Sequence, residues 1–419
     1  MRVRSSATQP QSDTKIRSPF EPQRQLCAAG LFAGIGGFEL GLERAGHRTR
    51  LFCELDPVAR AVLRTHFPRV PILHDVRRLD ELLERLPSQT DLLTAGFPCQ
   101  DLSQAGGTRG IDGKRSKLIS HVFTVLQSRP IPWVLIENVS FMLRLDRGRA
   151  MKRLVNRLER LGYRWAYRVV DSNAFGLPQR RERVFLLASL SADPRDVLLV
   201  DDASPHREVS ALGHLAHGFY WSEGNRGVGW AVDAIPTLKG GSAIGIPSPP
   251  AIVLPNKRII LPDIRDAERM QGFDEDWTLP AERAGRRSAR WRLIGNAVTV
   301  DVARWIGSRL ASPGDYDGSD DETLKRGSSW PIAAWYDGRR RGIAEVSKYP
   351  CWSHRPHLHR FLRHDGTPLT LRATEGFLSR ALASTLRFED GFIDALKEHY
   401  ERVSGRCWRD RLQDTASAA

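Results

Sequence analysis

The sequence has no uninterrupted apolar run approaching the roughly 20 residues of a membrane-spanning helix, which excludes an integral helical membrane protein. Residues 1–25 are rich in Arg, Ser, Gln and Pro, lack the apolar stretch of a secretory signal, and read as a disordered tail. Cysteine is scarce. The five present (Cys27, Cys53, Cys99, Cys351, Cys407) are odd in number, far apart and never in a C-x-x-C pair, which argues against a disulfide framework or a zinc ribbon. A reducing, cytoplasmic setting is expected. Internal repeats and long low-complexity runs are also missing.

What is present is 419 residues, enough for two or three domains, with an ordinary 41% of hydrophobic and 27% of charged side chains. The formal charge of +14 is uneven: residues 311–419 carry 17 basic and 16 acidic side chains, leaving 46 against 33 in the first 310. The first three quarters should therefore face a polyanion.

Apolar segments of strand length at residues 27–32, 49–53, 70–74, 91–96, 133–137, 166–171 and 184–188 alternate with amphipathic stretches such as 37–45, 57–66 and 149–161. That alternation predicts a doubly wound, Rossmann-like α/β sheet with ligands at the C-terminal strand ends, over residues 26–188. Residues 189–262 turn rich in Gly, Pro and aromatics, as a small domain of turns and short strands would be. Helical character resumes at 263–271 and 298–310, so 263–311 is expected to return to the first domain. An acidic linker at 312–322 then leads to a C-terminal extension of unknown role, expected to fold as an appendage around Trp330, Trp335 and Trp352.

The first strand runs into Leu31-Phe32-Ala33-Gly34-Ile35-Gly36-Gly37, a glycine-rich turn opening a helix, and Glu54 ends the next strand. Such a turn admits a ligand close to the backbone, and the glutamate suits a ribose hydroxyl pair. The third glycine of a dinucleotide fingerprint would fall at Glu39, a carboxylate badly placed beside a pyrophosphate, so a nucleoside without phosphates fits better. The fourth strand ends in Gly96-Phe97-Pro98-Cys99-Gln100, followed by a Ser- and Gly-containing loop. A cysteine after a proline at a strand end is an exposed, constrained thiol. Glu137-Asn138-Val139 ends the fifth strand, and Gln179-Arg180-Arg181-Glu182-Arg183 leads into the last, bringing a carboxyl and two alternating arginines to the same edge.

These elements, in this order, resemble the DNA cytosine carbon-5 methyltransferases over about residues 26–310, and the Pro-Cys-Gln, Glu-Asn-Val and Gln-x-Arg-x-Arg motifs are jointly very specific. The resemblance implies S-adenosylmethionine as cofactor. Phe32, Gly34, Gly36, Glu54, Asp75, Pro98, Leu118, Asn296 and Val298 would form its pocket. It implies Cys99 as the nucleophile that adds to carbon 6 of cytosine, Glu137 as the carboxyl at ring nitrogen 3, and Arg181 and Arg183 on the base oxygen and a nearby phosphate. The base must be flipped out of the helix, and the loop from Ser103 would close over it. Residues 189–262 hold the place of the family's target recognition domain, with Trp221, Asn225, Arg226, Trp230, Thr237 and Lys239. Ser103, Gln179, Arg226, Thr237 and Lys239 are expected to meet double-stranded DNA.

Two positions depart from the family pattern: Gly30 replaces an acidic residue often found before Leu31-Phe32, and Leu55 stands where an aromatic residue often follows the glutamate. Two arginine-rich runs, 144–157 and 283–292, suit phosphates or solvated helix faces alike. Cys351, His354, His357 and His359 have ligand chemistry for zinc but no standard spacing, so no metal is expected. The expected setting is a bacterial restriction-modification or related phage-defence system with companion proteins, the enzyme acting as a monomer in the cytoplasm, at the nucleoid. A tRNA methyltransferase with the same machinery, or an idle DNA-binding scaffold, are the alternatives. An amino-group methyltransferase is disfavoured, since Ser248-Pro249-Pro250 ends in Ala251 rather than an aromatic residue.

Overall fold

Strands buried on both faces have no need of polar alternation, and the first segments are apolar where they enter the core, as at Leu51, Phe52 and Cys53. They form Cys27–Leu31 (β1), Arg48–Cys53 (β2), Ile72–Leu73 (β3), Leu92–Ala95 (β4), Trp133–Val139 (β5) and Arg164–Asp171 (β6) in the computed structural model, which describes residues 25–97, 118–203, 212–221, 227–240, 249–285 and 288–408. Residues 1–24, the body of the expected tail, lie outside the described residues. Gln179–Arg180 (β7) forms a short separate pair, and Glu182–Ser189 (β8) returns to the sheet antiparallel between β5 and β6.

The crossovers are the amphipathic helices Gly37–Arg44 (α1), Pro57–His66 (α2), Leu79–Arg85 (α3), Ile119–Ser128 (α4) and Arg149–Arg160 (α5). α2 shows why its boundary is sharp: Asp56 caps it by accepting from Val58 N at 2.9 Å, and Pro57 supplies a preset first turn. Its apolar stripe, Ala59, Val62 and Leu63, packs with Phe52, Phe67 and Trp277 in one core cluster. Beyond a single turn at Arg195–Leu198 (α6), a second, antiparallel sheet is built from His217–Trp221 (β9), Val228–Val232 (β10), Ala251–Val253 (β12) and Ile259–Leu261 (β13), while Ile235–Pro236 (β11) pairs with β7. Ile264–Arg269 (α7), Pro280–Ala284 (α8), Ala289–Asn296 (α9) and Val300–Ala311 (α10) then return to the first sheet. There Val302, Ala303 and Ile306 of α10 meet Phe38 and Leu42 of α1.

The C-terminal region is not an appendage. Ala333–Tyr336 (β14) and Arg341–Ile343 (β15) extend the first sheet beyond β6, giving the order β15-β14-β6-β8-β5-β4-β1-β2-β3. After the short Leu358–Phe361 (α11), Thr367–Pro368 (β16) adds an edge to the second sheet. Leu371–Leu382 (α12) and Phe392–Ser404 (α13) cover that sheet, their Phe377, Leu378, Phe392 and Leu396 packing on Phe219 and Ile259. Instead of forming a core of their own, Trp335 joins the core beneath the first sheet and Trp330 packs against the cluster on its other face. Buried Asp233 fastens the crossing by accepting from Leu358 N at 2.8 Å and pairing with Arg355 at 2.6 Å. Among the described residues no helix is long and apolar enough to cross a membrane.

Candidate active site

The C-terminal ends of β1, β2, β4 and β5 surround a cavity of about 700 Å³, within the usual range for a small-molecule site. Phe32, Gly34, Glu54, Asp75, Leu118 and Asn296 line it, as the sequence leads one to expect, and so do Leu55, Asp56, Asn138 and Arg292. Phe32, Gly34 and Gly36 all take positive φ, and Trp277 Nε1 secures the turn by donating to Ile35 O at 3.0 Å. Glu54 fixes the turn from the other side: Oε2 accepts from Gly34 N at 2.7 Å and Oε1 from Asp56 N at 2.7 Å. Burial nevertheless raises its pKa. Asp75 is held low by a two-pronged hydrogen bond from Arg77. Gly36 caps α1 rather than lining the cavity, and Val298 packs beneath the floor against Gly96.

Gly30 acquires its meaning here. The Glu39 side chain turns away from the glycine-rich turn into the space above Gly30, where Oε1 accepts from Thr94 Oγ1 at 2.7 Å. Complete burial pushes its carboxyl up to about 7. From the sequence, this glutamate reads only as an obstacle to a pyrophosphate. The useful signal was a helical acid facing a strand residue without a side chain.

The same cavity reaches Glu137 and Arg183, whose Oε1 and Nε are 3.2 Å apart. Burial raises the Glu137 pKa, and the positive charges of Arg183 and Arg181 oppose that rise. Arg181 has another duty: Nη1 donates to Leu238 O at 3.1 Å and Gly295 O at 3.2 Å, and Nη2 to Ala297 O at 2.8 Å. It thus ties the second sheet's connection to the cavity wall. Asn138 Nδ2 donates to Phe97 O at 3.3 Å, joining the ends of β4 and β5. Pro98, Cys99, Ser103, Asn225 and Arg226 lie outside the described residues.

Gln179, expected at the DNA, is corrected: it is wholly buried, its Nε2 donating to Met270 O at 3.0 Å and its Oε1 accepting from Leu238 N at 2.9 Å. A primary amide with both ends bonded between two backbone segments fastens them and is shielded from a ligand. Thr237 lines a neighbouring cleft of about 370 Å³, with Ser140, Arg183, Tyr220 and Trp230, and Lys239 Nζ lies 4.0 Å from the Tyr220 ring centre. The 283–292 run divides: Arg290 is buried in an acidic nest, Arg292 pairs with Asp56 at 2.6 Å, Arg283 is exposed, and Arg286 and Arg287 lie outside the described residues. The Cys351 thiol donates to Ala174 O at 3.6 Å and His357 pairs with Asp233 at 3.0 Å; among the described residues no three such groups converge as metal ligands.

Ligand chemistry follows from the wall. Phe32, Leu118 and Leu293 can flank a base, Glu54 sits at the end of β2, and the arginines at this end, Arg77 and Arg292, are already paired with Asp75 and Asp56. Carboxylates with neutralised arginines suit a nucleoside with a cationic tail better than a pyrophosphate. A cavity of that character, at the C-terminal ends of parallel strands with antiparallel β8 inserted between β5 and β6, defines the class of S-adenosylmethionine-dependent methyltransferases.

The family is then plain. Residues 28–209 and 217–312 match the model of the C-5 cytosine-specific DNA methylases, and the chain belongs to that family. It is 49% identical over 387 residues to the Type II methyltransferase M2.BsuMI of Bacillus subtilis strain 168, spanning 89% of this chain and 97% of that one. It is 28% identical over 320 residues to M.DsaV of Dactylococcopsis salina, spanning 69% and 87% of the two. Of solved structures, the Entamoeba histolytica methyltransferase EhMeth superposes with a TM-score of 0.50 at 15% identity, over 69% of this chain and 98% of that one, a likeness of fold. The protein is a DNA cytosine-5 methyltransferase that uses S-adenosylmethionine.

Proposed function

We propose that Cys99, Glu137 and Arg183 carry the reaction at a cytosine flipped out of duplex DNA, and that Arg181 is a positioning residue. The observation that carries this reading is the Glu137–Arg183 pair on a wall continuous with the cofactor cavity. Carbon 5 of cytosine is a poor nucleophile. The Cys99 thiolate adds to carbon 6, while a protonated Glu137 donates its proton towards ring nitrogen 3 and so neutralises the negative charge pushed onto the ring. Burial of Glu137 favours that protonated form, and Arg183, 3.2 Å away, is placed to hold the base oxygen through its planar donors. With S-adenosylmethionine held by the cavity residues, the activated carbon 5 would take its methyl group, the sulfonium sulfur keeping the bonding pair and leaving as a neutral thioether. Loss of the carbon-5 proton to a base then restores the double bond and expels the Cys99 thiolate.

Phe32, Gly34, Glu54, Asp75, Leu118 and Asn296 are the cofactor contacts, supported by their common wall. The cleft beside Thr237 and Lys239 is the approach for DNA, with residues 189–262, covered by α12 and α13, as the target recognition domain. The relatives' description as Type II methyltransferases supports a restriction-modification role; in this reading the enzyme is a monomer in the bacterial cytoplasm, alongside restriction or defence-system companion proteins. Duplex DNA carrying 5-fluorocytosine tests the chemistry, because fluorine cannot leave as a proton does. The parent chain should form a denaturation-resistant adduct mapping to Cys99 and Cys99→Ser none; an adduct in the variant, or none in a parent that methylates ordinary DNA, would contradict the proposal.

A further inference from the structure

The arginine-rich run that starts at residue 144 divides in the structure. Arg157 lies 4.9 Å from the Phe123 ring centre, Arg149 is ion-paired with Asp146, and Arg160 Nε donates to Asn156 O at 3.1 Å. Arg144 and Arg147 are exposed and have no acidic or aromatic partner among the described residues. They stand on the segment that leaves β5 directly after Glu137-Asn138-Val139, through two short turns, Ser140–Leu143 and Leu145–Gly148. Ser140, where the segment begins, lines the cleft shared with Arg183, Thr237 and Tyr220.

The backbone carrying these arginines is held in an unfavourable shape. Asp146 and Arg147 both have φ of 54°, and Gly148 follows at 72°. Left-handed conformations crowd an L side chain, so two in succession persist only where the surroundings impose them. Trp330 packs against the end of this stretch. Its Nε1 donates to Gly148 O at 3.1 Å, and its ring lies so close that a Cβ on Gly148 would be 2.3 Å from Cδ1. Trp330 is itself wedged against Trp165 and Tyr167, at 6.4 and 6.2 Å between ring centres, and Tyr167 Oη donates to the adjoining Pro331 O at 2.8 Å.

We propose that Arg144 and Arg147 bind backbone phosphates of duplex DNA beside the flipped cytosine, and that Trp330 is a positioning residue that keeps their loop in the binding shape. An exposed guanidinium with no internal partner, on a segment whose first residue, Ser140, lines the substrate cleft, is matched by a phosphate, whose oxygens accept its paired donors. Ordering the loop in advance removes that cost from binding. The inference rests on the reading of duplex DNA as substrate, and it gives the C-terminal region a part in DNA contact that passes through the loop rather than through direct touch.

The test is DNA binding as a function of salt, with steady-state methylation, for the full chain and for the Arg144→Ala/Arg147→Ala and Trp330→Ala variants. The slope of log affinity against log salt should fall by about two in the arginine variant, with KM for DNA raised and kcat, cofactor Kd and methylated sequence unchanged. Trp330→Ala should raise KM for DNA in the same direction, and Trp330→Phe, which keeps a ring over Gly148, should recover part of it. Because the arginines are exposed, their variant tests the proposal even where Trp330→Ala unfolds the chain. A parent-like slope and KM in the arginine variant would overturn it while duplex methylation by the parent stands; a parent inactive on duplex DNA would overturn the underlying reading as well.

Discussion

A Cβ on Gly30 would lie 2.2 Å from Glu39 Oε1, so these two positions, one in β1 and one in α1, compete for a single space beneath the glycine-rich turn. Gly30→Ala must displace a buried carboxyl that is hydrogen-bonded to Thr94, and should cost about 1–3 kcal/mol, as overpacking does. Adding Glu39→Ala relieves the clash. Urea unfolding of the two single variants and the double should show the double losing clearly less than the sum.

Glu39 also makes stability depend on pH. Its folded pKa of about 7 lies above the ordinary 4.5, so the folded state holds a proton that the unfolded state releases. Stability from this group is complete below its ordinary pKa and falls as pH rises towards 7, by about 3 kcal/mol in all. Glu39→Gln stays neutral. Measured by urea unfolding at about pH 5 and about pH 8, the variant should gain on the parent at the higher pH.

Arg290 belongs to the run that composition offers equally to DNA, yet only 5% of its side chain is exposed. It pairs with Glu268, Asp276 and Glu282, each at 3.0 Å, and Nε donates to Thr278 Oγ1 at 2.9 Å. Arg290→Met would strand Glu268 as a buried charge. The expected loss is about 3–5 kcal/mol, read as a lower denaturant midpoint with an unaltered salt dependence of DNA binding.

Truncation after Ala311 removes two strands from the first sheet and both helices from the second. It bares Phe219 and Ile259, which a separable appendage would not. Limited proteolysis and thermal unfolding should show a chain that no longer unfolds cooperatively; a truncated chain with the parent's melting profile would contradict this packing.

Most of the first sheet was legible because buried parallel strands are continuous apolar runs and their crossovers keep a helical period. β14 and β15 were not: four and three residues long, they carry no period, and Trp335 of β14 reads with Trp330 and Trp352 as the core of a separate domain. Only tertiary pairing with β6 shows otherwise. In the site, Glu54, Glu137 and Arg183 were legible from motif and strand end. Gln179 misled because a polar side chain in a basic stretch reads as solvent-facing, and Glu39 because its partner space, at Gly30, is an absence in the sequence.

Base-resolution methylation sequencing decides whether this chain methylates carbon 5 of cytosine in DNA through Cys99. DNA from a methylation-deficient bacterial host expressing the chain should carry 5-methylcytosine at one recurring sequence, and DNA from the same host expressing Cys99→Ser should carry none. Equal methylation with the variant, or an unmethylated genome despite folded parent protein, would contradict the account.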